Sequence, residues 1–263
     1  EALLGTALML MRETASELTI SQEAVARERG VILAERRDRA GFQQRNYEDN
    51  AAFLAPGAHY TNRLPIGTLE VLEGATAAQI RALYERTYRP SNTVVVVVGD
   101  YPVAVVEAAI RARFADWATG AAPAEPVAGP IDVTRKGLTD IYTDPALAES
   151  VSISRLAPWR DEPDTIANRR AGFLRSVGYG IVNRRLARLA RGADAPFRSA
   201  SFGSGDIFED ARITSLSVSS VDGEWEKGVL AATREVNQAL TYGFTQAEVD
   251  EQLANIRTSL ENA

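Results

Sequence analysis

Glu28 and Glu35 are the residues whose type and spacing could do chemistry in this chain. They bracket Glu28-Arg29-Gly30-Val31-Ile32-Leu33-Ala34-Glu35, a segment that reads as helix. At about 3.6 residues per turn the two carboxylates are separated by almost two turns and share a face. The same geometry sets them ~10 Å apart along the helix axis, too far for one small cation to be bound directly by both. The spacing suits one carboxylate on a metal and the other orienting the site or meeting substrate. Two glutamates on an arginine-rich helix are more often a solvated face, and spacing alone leaves both readings open.

The elements that must position these carboxylates follow from periodicity and caps. Thr19-Ile20-Ser21-Gln22 is a capping-box pattern, and Gln22 and Glu23 suit the positive end of a helix dipole. Val25, Arg29, Ile32 and Leu33 mark a partial apolar stripe on a helix over about 21–37. Ahead of it, Leu3, Leu4, Ala7, Leu8, Met11 and Leu18 mark a helix over about 1–18. An irregular stretch around Pro56 and Gly57 leads to a capped helix at about 76–88, a strand at 93–99 whose Val94–Val98 run reads as buried, and a helix at 102–116. Residues 119–130, rich in Ala, Pro and Gly, read as a linker. Short strands are expected near 132–135, 139–143 and 151–155, then a long helix at about 164–191. Strands at 197–202 and 212–221 and helices at about 224–242 and 246–260 complete the pattern.

The last two helices resemble the first two. Arg234-Glu235 matches Arg12-Glu13, Leu240-Thr241 matches Leu18-Thr19, and Gln246-Ala247-Glu248-Val249 matches Gln22-Glu23-Ala24-Val25. In this alignment Glu28 falls on Gln252 and Glu35 on Ser259, so the second copy has lost both carboxylates.

Composition bounds the function classes. A net charge of -6 and a pI near 5.1 argue against nucleic acid as partner. No apolar run has transmembrane length. The chain has no cysteine, which removes disulfides and thiolate ligands. Ser201-Phe202-Gly203-Ser204-Gly205 lacks the lysine of a phosphate loop and reads as a strand running into a turn. Gly178-Tyr179-Gly180 reads as a close helix contact or a bend. Arg184, Arg185, Arg188 and Arg191 read as a solvated basic helix face.

The ordered set Glu28–Glu35, then Arg63-Leu64-Pro65-Ile66-Gly67, then Tyr88-Arg89-Pro90-Ser91-Asn92-Thr93 running through Val94–Val98 to Gly99-Asp100, resembles the pitrilysin/insulinase (M16) family of zinc metallopeptidases, long bacterial type. The resemblance spans the chain and is strongest from about 13 to 117. It implies tandem α/β metallopeptidase-like domains of α+β class, with a mixed or antiparallel sheet flanked by helices, both incomplete here. By the family's pattern, zinc is held by two histidines of an H-x-x-E-H helix and by one glutamate on a later helix. Motif for motif, that metal ligand falls on Glu35 and the accessory catalytic carboxylate on Glu28.

The sequence departs from the pattern in having His59 as its one histidine, in Pro56-Gly57-Ala58-His59-Tyr60. That residue reads as a loop histidine, near a substrate cleft or at the surface. The chain starts and stops within helical patterns, which points to a piece of a longer polypeptide.

The resulting expectations are these. Residues 1–118 are the C-terminal part of a metal-binding peptidase domain, 119–137 a linker and connecting strand, and 138–263 the N-terminal part of a second, non-catalytic homologous domain. The resemblance implies a zinc-dependent endopeptidase in the full-length parent, acting on peptides or small unfolded proteins, with this piece inactive and without its zinc when alone. The implied partners are peptide substrates and the remaining domains or a homologous subunit, with no nucleic acid and no membrane span. The alternative is a non-catalytic subunit or scaffold of the same family. A bacterial periplasmic location fits the long bacterial members, although nothing in these residues fixes the compartment.

Overall fold

A computed structural model describes residues 2–118, 120, 124 and 127–262. In chain order its longer elements are α1 (Ala2–Ser16), α2 (Gln22–Arg39), α3 (Phe42–Leu54), α4 (Leu69–Gly74), α5 (Ala77–Thr87), α6 (Val103–Phe114), β1 (Ser150–Pro158), α7 (Ile166–Leu189), β2 (Ser199–Ile207), β3 (Ala211–Ser219), α8 (Trp225–Tyr242) and α9 (Gln246–Glu261). The architecture is α+β. Two compact units emerge, one of Glu1–Gly41 with Asn62–Val127, the other of Phe42–Thr61 with Ala128–Ala263.

The first unit is helical. The apolar side of α1 buries Leu4 and Leu8, and α1 packs against α6. Arg12 of α1 reaches Asp116 at 3.5 Å, and its guanidinium lies 5.5 Å from the Trp117 ring centre. Tyr84 of α5 secures the far end of α1. Its buried ring places the hydroxyl to donate to the Thr14 carbonyl at 2.9 Å and to accept from the Leu18 N–H at 3.4 Å. Thr76 and Gln79 form a full capping box on α5, satisfying N–H groups that the first helical turn leaves without partners.

The second unit is built on a three-stranded antiparallel sheet in the order β1-β3-β2. Period-two alternation splits its side chains between two faces. Ala200, Phe202, Leu216 and Val218 turn to a core completed by Phe197, by Val182 and Leu186 of α7, and by Ala232, Val236 and Ala239 of α8. Asn183 of α7 clamps β2 by donating to the Phe202 carbonyl at 3.0 Å and accepting from the Phe202 N–H at 2.8 Å. The opposite face is lined with serine, and cross-strand hydroxyls meet at Ser152–Ser217 (3.1 Å) and Ser154–Ser215 (2.9 Å).

Several expectations are corrected. The stretch read as irregular contains α3 and the short α4. Val94–Val98 belongs to no sheet among the described residues and is not buried. Its hydrophobicity signals a need for strand partners, and these residues do not supply them. No strand forms at 132–135 or 139–143. Asp132 instead accepts from the Thr134 N–H at 2.9 Å, and the Arg135 guanidinium donates to the carbonyls of Phe53 and Leu54. Such side chain–backbone bonds compete with strand ladders. No turn follows Phe202: β2 runs on through Gly203 and Gly205 to Ile207. The expected linker at 119–130 lies largely outside the described residues.

In the second unit two glycine-bearing segments cross. The His59 N–H donates to the Ala128 carbonyl at 2.8 Å. Gly129 has φ +88°, and a Cβ there would stand 2.7 Å from the Gly57 carbonyl oxygen. A Cβ on Gly57 would stand 2.9 Å from the Pro130 carbonyl oxygen, so the crossing admits no side chain on either strand.

Candidate functional site

Helix α2 carries both candidate carboxylates. Its N-cap is Ser21, not Thr19: the Ser21 hydroxyl accepts from the Ala24 N–H at 3.1 Å. Main-chain and Ser21 hydrogen bonds lower the pKa of Glu23 in the first turn.

The rotation of α2 is set by two arginines. Arg29 donates through Nε to the Leu72 carbonyl at 2.9 Å and through Nη2 to the Ala75 carbonyl. Arg36 donates through Nη1 to the Gly67 carbonyl at 2.8 Å. These bonds dock α2 on the segment that contains α4, whose N-cap is Thr68. Sequence reasoning missed them, although the signal was present: arginines at the same heptad spacing as the glutamates, each one position later. One residue is about 100° of helix rotation, so the docked arginines turn the glutamates away from the contact.

Glu28 and Glu35 are accordingly accessible, with side-chain exposures of 62% and 43%. Their ion pairs are with arginines of their own helix, Glu28 with Arg27 at 3.5 Å and Glu35 with Arg39 at 2.6 Å. Among the described residues no group of three His, Cys, Asp or Glu side chains converges as a metal site. The described side chains therefore do not make a complete zinc centre.

His59 lies in the second unit, half-buried, at the start of a 3-10 turn spanning His59–Asn62. Next to it, Tyr60 lies against Phe208 with ring centres 5.0 Å apart, and burial raises the Tyr60 phenol pKa. Phe208 and Glu209 both adopt positive φ, 47° and 61°, in the turn between β2 and β3.

The counterpart of α2 in the proposed repeat is α9. It has its own capping box, Thr245 with Glu248, and the Gln252 side chain lies against Gly180 of α7. Gly178-Tyr179-Gly180 is thus a helix contact, as its sequence suggests. The basic face of α7 is only partly solvated. Arg185 grips Glu248 through two bonds of 2.6 and 2.8 Å, pairs with Glu235 at 3.3 Å and stacks on Phe244. Arg184 donates to the Glu248 carbonyl at 2.8 Å. The expected solvated reading fails for these two because α8 and α9 bring carboxylates to them. The serine face of the sheet also holds a shallow cavity of about 270 Å³ between Ser152, Ser201 and Ser217.

One unit holds an antiparallel sheet flanked by helices and the other is helical and carries the accessible Glu-x6-Glu helix, so the class is α+β. The chain belongs to the family described as the peptidase M16 inactive domain, whose model matches residues 74–256. It is 28% identical over 201 residues to a zinc protease PQQL-like protein of Arabidopsis thaliana, covering 76% of this chain and 21% of that protein. It is 24% identical over 261 residues to a probable zinc protease PqqL of Escherichia coli, covering 97% of this chain and 28% of that protein. The fold superposes on the crystal structure of the periplasmic protease PqqL from Escherichia coli with a TM-score of 0.85 at 22% identity, covering 99% of this chain and 29% of that one. The chain spans 21% to 28% of the length of the curated relatives it matches. No helix among the described residues is long and apolar enough to cross a membrane.

Proposed function

We propose that the parent polypeptide is a zinc-dependent endopeptidase and that this chain is an inactive piece of it. Residues 1–118 form the C-terminal part of the metal-binding domain, 119–137 the connection, and 138–263 the N-terminal part of a homologous non-catalytic domain. Glu35 supplies one zinc ligand in the parent, and Glu28 orients the site or the substrate. The observation that carries this reading is the docking of α2 through Arg29 and Arg36, which leaves both glutamates accessible to groups beyond this chain. The names of the relatives, zinc proteases in each case, support it. Peptides are the substrates and the remaining domains the structural partners. The periplasmic setting of the Escherichia coli neighbour supports an envelope location.

The test is metal content and peptidase activity of the full-length parent. Glu35→Gln abolishes both zinc retention and activity. Glu28→Gln lowers activity with less loss of metal. Equal zinc content in wild type and Glu35→Gln sinks the assignment.

The second reading, a non-catalytic subunit or scaffold of the same family, draws on the short Glu35–Arg39 pair, which already engages the carboxylate. A parent that binds peptides equally well with and without chelator, and that cleaves none, decides for it.

A further inference from the structure

We propose that Asp222-Gly223 is a site of main-chain modification, the isomerisation of Asp222 to isoaspartate through a succinimide, and that Glu149 restrains the reaction. The inference concerns the second unit alone and is independent of the zinc assignment.

Asp222-Gly223 is the one Asp-Gly pair of a sequence that has no Asn-Gly. Glycine places no Cβ beside its own nitrogen, so the nitrogen is free to attack the preceding side chain. In the reaction the Gly223 nitrogen bonds to Asp222 Cγ. The Cγ–O bond breaks, and that oxygen leaves as water with the carboxyl proton and the amide proton. Water then opens the ring. Opening at the main-chain carbonyl reroutes the chain through Cγ as isoaspartate, and opening at Cγ restores aspartate, so no reactant besides water enters. The surroundings leave room for the ring: the Asp222 side chain is 74% exposed, and a Cβ on Gly223 would meet nothing within 4 Å.

The folded turn holds the two groups apart. The Glu224 N–H donates to the Val221 carbonyl at 2.9 Å, Gly223 has φ +79°, and Asp222 has no positive φ, which together make a type II turn. Such a turn keeps its second residue at ψ of about +120°. Ring closure swings the Gly223 nitrogen beneath the Asp222 Cβ, which in an L-residue demands ψ of the opposite sign. Glu149 fixes both ends of the turn. Its carbonyl accepts from the Ser220 N–H at 2.9 Å, and its Oε2 accepts from the attacking Gly223 N–H at 3.1 Å. Its Oε1 is buried without a partner among the described residues, so the Gly223 bond is what anchors the carboxylate. Arg198 pairs with Asp222 at 3.2 Å, but both side chains are exposed and such pairs hold weakly. Conversion would insert a methylene between β3 and α8. The first turn of α8 has no slack to absorb it, since a Cβ on Gly228 would stand 3.1 Å from the Pro196 carbonyl oxygen.

Isoaspartate content at residue 222, read by peptide mass spectrometry on the 263-residue chain held at neutral pH and physiological temperature, tests the proposal. The urea-unfolded chain is expected to convert ~10-fold or more faster than the folded one, because the reaction waits on local opening. Glu149→Ala is expected to convert ~10-fold faster than wild type, the worth of one hydrogen bond to a charged group. Arg198→Ala raises the rate less than Glu149→Ala, and the converted chain melts below the unconverted one. Equal rates in wild type and Glu149→Ala overturn the restraint, as does a larger effect of Arg198→Ala. Isoaspartate that arises at other aspartates and not at 222 overturns the site. If Glu149→Ala melts near the incubation temperature, Glu149→Gln decides: it keeps an acceptor for the Gly223 N–H without the charge, and a rate no faster than wild type rejects the proposal.

Discussion

Arg29 and Arg36 both donate guanidinium hydrogen bonds to main-chain carbonyls of the 67–75 segment, and each directly follows a candidate carboxylate, Glu28 or Glu35. The pair fixes both the height and the rotation of α2. Arg29→Ala is expected to destabilise the chain by about 1–3 kcal/mol, because two carbonyls lose a charged donor. Arg29→Lys restores less than half of that, since an ammonium lacks the planar fork. Arg27→Ala, which removes an exposed pair, changes stability by about 0.5 kcal/mol or less. Urea denaturation of the three variants checks the order.

Acid sensitivity is expected at the Arg185–Glu248 contact. The Arg185 guanidinium, and then the Thr245 main-chain N–H, pull the Glu248 pKa down from 4.5 to about 2. The folded protein therefore holds this proton more weakly than the unfolded chain does. The stabilisation is complete above about pH 4.5 and is lost as pH falls towards 2. Solvent reaching the pair limits the effect to about 1–2 kcal/mol. Glu248→Gln flattens the dependence of melting temperature on pH across that window, and an unchanged slope would contradict the assignment.

Helix glycines separate into two kinds. A Cβ on Gly178 would meet the Phe244 ring at 3.5 Å, an ordinary contact. Gly178→Ala is expected to stabilise by about 0.5–1 kcal/mol through helix propensity. A Cβ on Gly228 would lie 3.1 Å from the Pro196 carbonyl oxygen and 3.3 Å from a Val218 methyl. Gly228→Ala is expected to cost about 1–3 kcal/mol by overpacking the sheet against α8. Thermal denaturation should shift the two variants in opposite directions.

The crossing of residues 57 and 129 offers a harsher case. Gly129→Ala meets both a positive φ and a main-chain oxygen at 2.7 Å. A loss of about 2 kcal/mol or more is expected, beyond the usual range for a surface change. Calorimetry on the purified variant reads it.

Legibility in the sequence followed the range of the forces involved. Caps act within one turn, so α5 and α9 were readable from Thr76 and from Thr245 with Glu248. Alternation of Val151, Ile153, Leu216 and Val218 with serine marked β1 and β3, whereas β2 was cut short at its glycines. Helix α3 escaped because Gln43-Gln44-Arg45-Asn46 offers little apolar periodicity. The Val94–Val98 run reads as a buried strand yet is exposed, since hydrophobicity records a demand for partners and not their presence. The fates of Arg184 and Arg185 depended on carboxylates about fifty to sixty residues downstream, a distance at which local pattern is silent. For Glu28 and Glu35 the helix and its heptad spacing were legible. Arg29 falls on the expected apolar stripe, but the carbonyls that Arg29 and Arg36 reach lie 31 to 46 residues downstream, beyond local pattern.

The chain passes from one compact unit to the other three times, at 41/42, 61/62 and 127/128. A single cut therefore cannot part them. An engineered protease site between 118 and 127 would leave α3 on the first piece, although α3 folds with the second. Because α3 packs within the second unit, the nicked halves are expected to travel as one species through size exclusion until denaturant is added.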